Sequence, residues 1–200
     1  MENTNKKEQY YIFLDVDGTL WDNTWASQFY GPFTPYINPE TFIGPLKSES
    51  VQALNFLISS IEKHHNVSLI ITSKRRQNMP RCIEFLHNQG LTYDKPIFCT
   101  KYSSGPRGQK IIDYMTEQGE TALSYQNKGF IERVLFNFAN NDFKNYVVLD
   151  DNVSPLKKFI PESRMLLTNK EKQALTMKAV EKYLAKNHML PESTIEIEKQ

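Results

Sequence analysis

The chain has 200 residues, 40% of them hydrophobic and 24% charged, the size and balance of one globular domain with a substantial core. Lys and Arg number 24 against 23 Asp and Glu, a formal charge of +1, which removes the electrostatic case for general nucleic-acid or acidic-membrane binding. Two well-separated cysteines, Cys82 and Cys99, exclude a disulfide framework and a Cys/His zinc site and read as reduced, half-buried thiols.

Met1–Gln9 is polar and mixed in charge, reads as a disordered lead-in and has no signal-peptide character. No apolar run approaches the roughly 20 residues of a spanning helix. The expectation is a cytoplasmic protein, or one delivered to a host cell without a cleavable signal. Tyr10–Leu14 is an aromatic and β-branched run ending at Asp15 and Gly18, which predicts a buried strand leaving the core. Trp21–Lys47 follows as a short flap carrying Trp21, Trp25, Phe29, Tyr30, Phe33 and Tyr36. Ser48–Glu62 places Val51, Leu54, Leu57, Ile58 and Ile61 at helical spacing, with Ser48 as its cap.

Val67–Thr72 predicts a second strand and Asn78–Gln89 a helix with Pro80 in its first turn, stopped by Gly90. A third strand at Pro96–Cys99, a helix over Gly108–Gln118 and another over Lys128–Ala139 come next. A fourth strand at Tyr146–Leu149 runs into Asp150-Asp151, a fifth lies at Arg164–Thr168, and a final amphipathic helix spans Asn169–Lys186. The domain is expected over 10–187, with a charged tail over 188–200. Strands alternating with helices imply right-handed crossovers and a parallel α/β sheet covered on both faces. Such sheets bind ligands outside the carboxyl ends of their strands, where Asp15, Thr72 and Asp150 fall.

Asp15-Val16-Asp17-Gly18-Thr19-Leu20 is the most informative segment. Residues i and i+2 of an extended chain point the same way, so Asp15 and Asp17 can converge. Two such carboxylates repel unless a proton or a hard cation such as Mg²⁺ sits between them. With its flanking strand this segment resembles the first motif of the haloacid dehalogenase (HAD) superfamily. Leu69-Ile70-Ile71-Thr72-Ser73 resembles the second motif, and Val147-Val148-Leu149-Asp150-Asp151 the fourth.

The resemblance covers about residues 10 to 170 and implies a Rossmann-like HAD fold and phosphoryl-transfer chemistry. Asp15 is then the nucleophile and Asp17 the acid/base. A dehalogenase of the family lacks the second acid, so phosphate-ester hydrolysis is expected. Mg²⁺ would be held by Asp15, the backbone carbonyl of Asp17, Asp150 and Asp151. Thr72 or Ser73 supplies the phosphate-binding hydroxyl, and Lys128, with Lys110 as its rival, supplies the cation of the third motif. Neither slot for a cap domain is long enough to hold a full one, so an open site is expected.

An open site favours a phosphorylated macromolecule, a phosphoprotein first and phosphotyrosine among its residues, as for a bacterial effector. The aromatic flap would stack on the ring, or merely pack. Lys74-Arg75-Arg76 either draws an acidic substrate to the rim or is a solvated helix start. A nucleic-acid end phosphatase of RNA-repair type and an inactive interaction module remain alternatives.

Overall fold

The computed structural model describes residues 7–30, 45–118, 143, 145–169 and 173–190. Five strands form one all-parallel sheet in the order β3-β2-β1-β4-β5. They are β1 (Gln9–Leu14), β2 (Asn66–Ile71), β3 (Ile97–Cys99), β4 (Tyr146–Asp150) and β5 (Met165–Leu167). The helices are α1 (Asn23–Tyr30), α2 (Ser48–Glu62), α3 (Met79–Asn88), α4 (Arg107–Glu117) and α5 (Met177–Lys186). The protein is therefore an α/β fold of the Rossmann-like kind.

The period-2 alternation of β1 divides the core. Tyr10, Ile12 and Leu14 pack with α2, α3 and α5 on one face. Tyr11 and Phe13 pack with Ile111, Ile112 and Met115 of α4 on the other. Both faces are thus apolar, which is why the strands read as continuous hydrophobic runs.

The register brings the polar strand ends into line. Leu14 pairs with Ile71 of β2 and with Leu149 of β4. The ladder then runs one step further: Asp15 N–H donates to Leu149 at 2.9 Å and Thr72 N–H donates to Leu14 at 2.8 Å. Asp15, Thr72 and Asp150 therefore end neighbouring strands at one edge. The strand order reverses on either side of β1, the place where open parallel sheets leave a crevice.

Several boundaries differ from the sequence expectations for local reasons. α2 is capped at Lys47 with no side-chain bond, so Ser48 is its first helical residue and not its cap. The last helix starts at Met177, not Asn169. The Thr176 side chain caps it from an extended backbone, and Asn169 pairs with Gln173 in an antiparallel bridge. α1 was not foreseen inside the flap: Asp22 caps it, its carboxylate accepting from Trp25 N–H at 2.8 Å. Cys82 is fully buried and Cys99 half-buried. No helix among the described residues is long and apolar enough to cross a membrane. The helix expected over 128–139, most of the flap, and the tail beyond residue 190 lie outside the described residues.

Candidate active site

Gly18 lets the chain turn away after the two aspartates. It adopts φ +81°, and a Cβ there would lie 2.5 Å from the Asp151 carboxylate. The turn after β1 and the loop after β4 are therefore pressed together, which brings Asp151 into one cluster with Asp15. Thr168 Oγ1 donates to the Gly18 carbonyl at 2.9 Å and holds the turn from the β5 side.

Carboxylate oxygens of Asp15, Asp150 and Asp151 lie within 4.8 Å of one another. Asp15 is 4% exposed and Asp150 fully buried. Burial pushes the Asp15 carboxyl up to about 8; Arg107 opposes this, and the carboxylates of Asp150, Asp17 and Asp151 reinforce it. Burial likewise raises Asp150, against Arg107 and the N–H groups of its loop. Crowded, desolvated anions of this kind favour a cation among them. The donors are all hard oxygens, the set suited to Mg²⁺ rather than to a thiolate-seeking metal.

Asp17 faces a different set of partners. Its Oδ1 accepts from Arg75 Nε at 3.0 Å and lies 2.9 Å from the Arg75 terminal nitrogen, while its Oδ2 accepts from Ser73 Oγ at 2.8 Å. Trp21 Nε1 donates to Oδ1 at 3.4 Å. Arg75 is only 1% exposed, and the ring of Phe85 lies 5.1 Å beneath its guanidinium. Lys74-Arg75-Arg76 is therefore not a solvated helix start. It forms a short 3₁₀ turn over Lys74–Asn78 that drives its middle residue into the core.

The two adjacent hydroxyls have separate fates. Ser73 Oγ is engaged with Asp17 and with Arg75 N–H at 3.3 Å. Thr72 is 1% exposed and its Oγ1 has no hydrogen-bond partner among the described residues. An unsatisfied buried hydroxyl at the end of a strand, beside a carboxylate cluster, is available to a ligand.

Sequence reasoning missed Arg107. It opens α4, donates to Asp15 Oδ2 at 2.7 Å and also bonds the Asp150 carboxylate. Burial works against its charge, but Asp15 and Asp150 outweigh that and hold it firmly cationic. Lys128, the expected cation, lies outside the described residues. Lys110 stands one turn beyond Arg107 on α4 and lines a cleft beside the site.

The signal for Arg107 was its neighbour. A Cβ at Gly108 would lie 2.8 Å from Phe159 and 3.0 Å from the Pro155 carbonyl, and Gly108 N–H donates to that carbonyl at 3.0 Å. Only glycine lets α4 start this close to the loop after β4, and that approach carries Arg107 to Asp150.

The flap aromatics, where described, are structural. Trp21 is buried, and Trp25 Nε1 donates to the Pro45 carbonyl at 3.3 Å. Phe33 and Tyr36 lie outside the described residues. In comparisons with known proteins, no family model, no curated protein and no solved structure matches the chain.

Proposed function

We propose that the protein is a Mg²⁺-dependent phosphomonoester hydrolase of the HAD type, working through an aspartyl-phosphate on Asp15. The observation that carries this reading is the convergence of Asp15, Asp150 and Asp151 within 4.8 Å at the carboxyl edge of a parallel sheet. Arg107 and the unpartnered hydroxyl of Thr72 stand beside them.

Asp15 attacks the phosphorus through one carboxylate oxygen, and the bond from phosphorus to the ester oxygen breaks. Asp17, which must enter this half protonated, gives the leaving oxygen that proton and is left as the carboxylate that Arg75 and Ser73 hold. In the second half, Asp17 takes a proton from water as that water attacks phosphorus; the bond to Asp15 breaks and inorganic phosphate leaves. Arg75 and Ser73 orient the Asp17 carboxylate through the contacts described above. Thr72 Oγ1 donates to a phosphoryl oxygen, and Arg107 holds the nucleophile in place and offsets charge on the phosphoryl group.

Mg²⁺ would be held by Asp15, Asp150, Asp151 and the Asp17 carbonyl, and supplies charge neutralisation between an anionic nucleophile and an anionic ester. The reading covers the reaction and leaves the alcohol open. An expectation of phosphotyrosine leaned on the flap aromatics, and of these Trp21 and Trp25 are used in packing.

The test is phosphate release from a panel of simple monoesters, with Mg²⁺, with EDTA and with the Asp15→Asn variant. Release that needs Mg²⁺ and vanishes in the variant supports the proposal. No release from any ester makes an interaction module the better account.

A further inference from the structure

We infer that the cleft beside Asp15 is a second anion subsite, and that the substrate is a phosphomonoester whose leaving group carries a further phosphate. This rests on the hydrolase reading above, because it names what leaves the same site.

The cleft has a volume of about 540 Å³ and is lined by Thr72, Lys74, Arg76, Arg107, Lys110 and the loop Tyr102–Pro106, with no carboxylate among its described lining residues. Arg107 is committed to Asp15 and Asp150. The other three cations are not. Among the described residues Lys74, Arg76 and Lys110 form no ion pair.

Arg76 is fixed in place by its own backbone. One of its terminal nitrogens donates to the carbonyls of Thr72 and Ser73, the latter at 2.6 Å. Its Nε is buried with no partner among the described residues. Arg76, Arg107 and Lys110 also press on one another. Burial lowers Arg76, with Arg107 adding to it; burial lowers Lys110, with Arg76 and Arg107 adding to it.

A concave wall of unpaired, mutually repelling cations is stabilised by an anion. The scissile phosphate does not fill that role. Arg107, Thr72 and the metal that Asp15, Asp150 and Asp151 would hold are the groups that would meet it. A second phosphate fits better than a carboxylate, since its oxygens can accept from several cations at once.

Two further features suit the same ligand. α4 presents its N-terminal end here through Pro106 and Arg107, with no acid in its first turn and no side-chain cap, and a helix N-terminus favours an anion. Tyr102 is 65% exposed, with the Arg76 guanidinium 5.2 Å over its ring. It offers an apolar face to the body of the leaving group.

The experiment compares kcat/KM for adenosine 3′,5′-bisphosphate and adenosine 5′-monophosphate, with Mg²⁺. The wild-type protein should favour the bisphosphate about tenfold, the return of one well-made charged contact. The ratio should fall towards unity in the Lys74→Gln/Lys110→Gln double variant. Because it is taken within each protein, a general loss of activity cancels. A wild-type ratio near unity overturns the inference, as does a ratio that survives the double substitution.

A 5′-phosphorylated dinucleotide, whose second phosphate is a diester, separates a nucleic-acid end from a small bisphosphate as the source. A phosphotyrosine peptide flanked by aspartates that outpaces both overturns the choice of phosphate. Calorimetry on the Asp15→Asn protein reads binding without turnover: about tenfold tighter binding of the bisphosphate is expected, and equal affinities overturn the subsite. A protein that hydrolyses every monoester equally well loses the subsite and keeps the hydrolase reading. One that hydrolyses none but prefers the bisphosphate in calorimetry loses that reading and keeps the subsite.

Discussion

Replacing Gly18 by alanine separates backbone strain from damage to the carboxylate cluster, because Gly90 supplies the control. Both residues have positive φ, +81° at Gly18 and +99° at Gly90. An alanine at either should cost about 1–2 kcal/mol in backbone strain. They differ in what the new methyl meets. At Gly90 the nearest atom is Val51 Cγ1 at 4.0 Å, an ordinary contact. At Gly18 the methyl would lie 2.5 Å from Asp151 Cγ and Oδ2, so that carboxylate must retreat by about 1 Å to reach normal van der Waals distance.

The assay is thermal unfolding with excess Mg²⁺ and with EDTA. A metal present at a hundredfold its Kd adds about 2.7 kcal/mol, which for a chain of this size raises Tm by about 5–10 °C. The wild type and Gly90→Ala should both show that rise, with Gly90→Ala lower by a constant offset. Gly18→Ala should show the same offset and little or no response to Mg²⁺. A Gly18→Ala protein with the wild-type response would refute the placement of Asp151 at the metal.

Three other outcomes are expected. Arg75→Met leaves Asp17 without its buried guanidinium and should cost about 3–5 kcal/mol in urea unfolding, with Arg75→Lys recovering only part because an ammonium lacks the fork; an unchanged midpoint for the Met variant would contradict this. Arg107→Ala should lower kcat/KM by about 10²–10³-fold, the scale of a lost transition-state donor, and a loss under tenfold would contradict its role.

The third concerns pH. The Asp15 carboxyl is raised from 3.8 to about 8, so between those values the folded chain holds a proton that the unfolded chain releases. Its contribution to stability is full below pH 3.8, is lost as pH rises towards 8 and is flat beyond. In EDTA, urea unfolding should show that decline in the wild type and a flatter profile in Asp15→Asn; parallel profiles would contradict it.

The sheet was legible because each strand is an unbroken apolar run, and burial on both faces requires this. The site edge was legible because such runs end in Asp15, Thr72 and Asp150. α1 was hidden by its aromatic composition, which reads as a flap until Asp22 is seen as a cap. The late start of α5 was hidden too, since Ala174 and Leu175 continue the apolar pattern of the helix while being buried from an extended segment.

Arg75 and Arg107 were missed for a common reason. An arginine in a charge run or at a helix start looks solvated, and what engages it is a partner distant in sequence: Asp17 for Arg75, Asp15 and Asp150 for Arg107. No periodicity carries that information. Gly108 did hold a clue, since a glycine inside the first turn of a helix needs a packing reason.

The central claim is that Asp15 carries the phosphoryl group, and mass spectrometry of enzyme acid-quenched during turnover tests it most directly. The account predicts phosphate on the peptide containing Asp15, labile to base, requiring Mg²⁺ and absent from the Asp15→Asn protein. Steady turnover with no phosphorylated aspartate in the quenched enzyme, or with the phosphate on another residue, would contradict it.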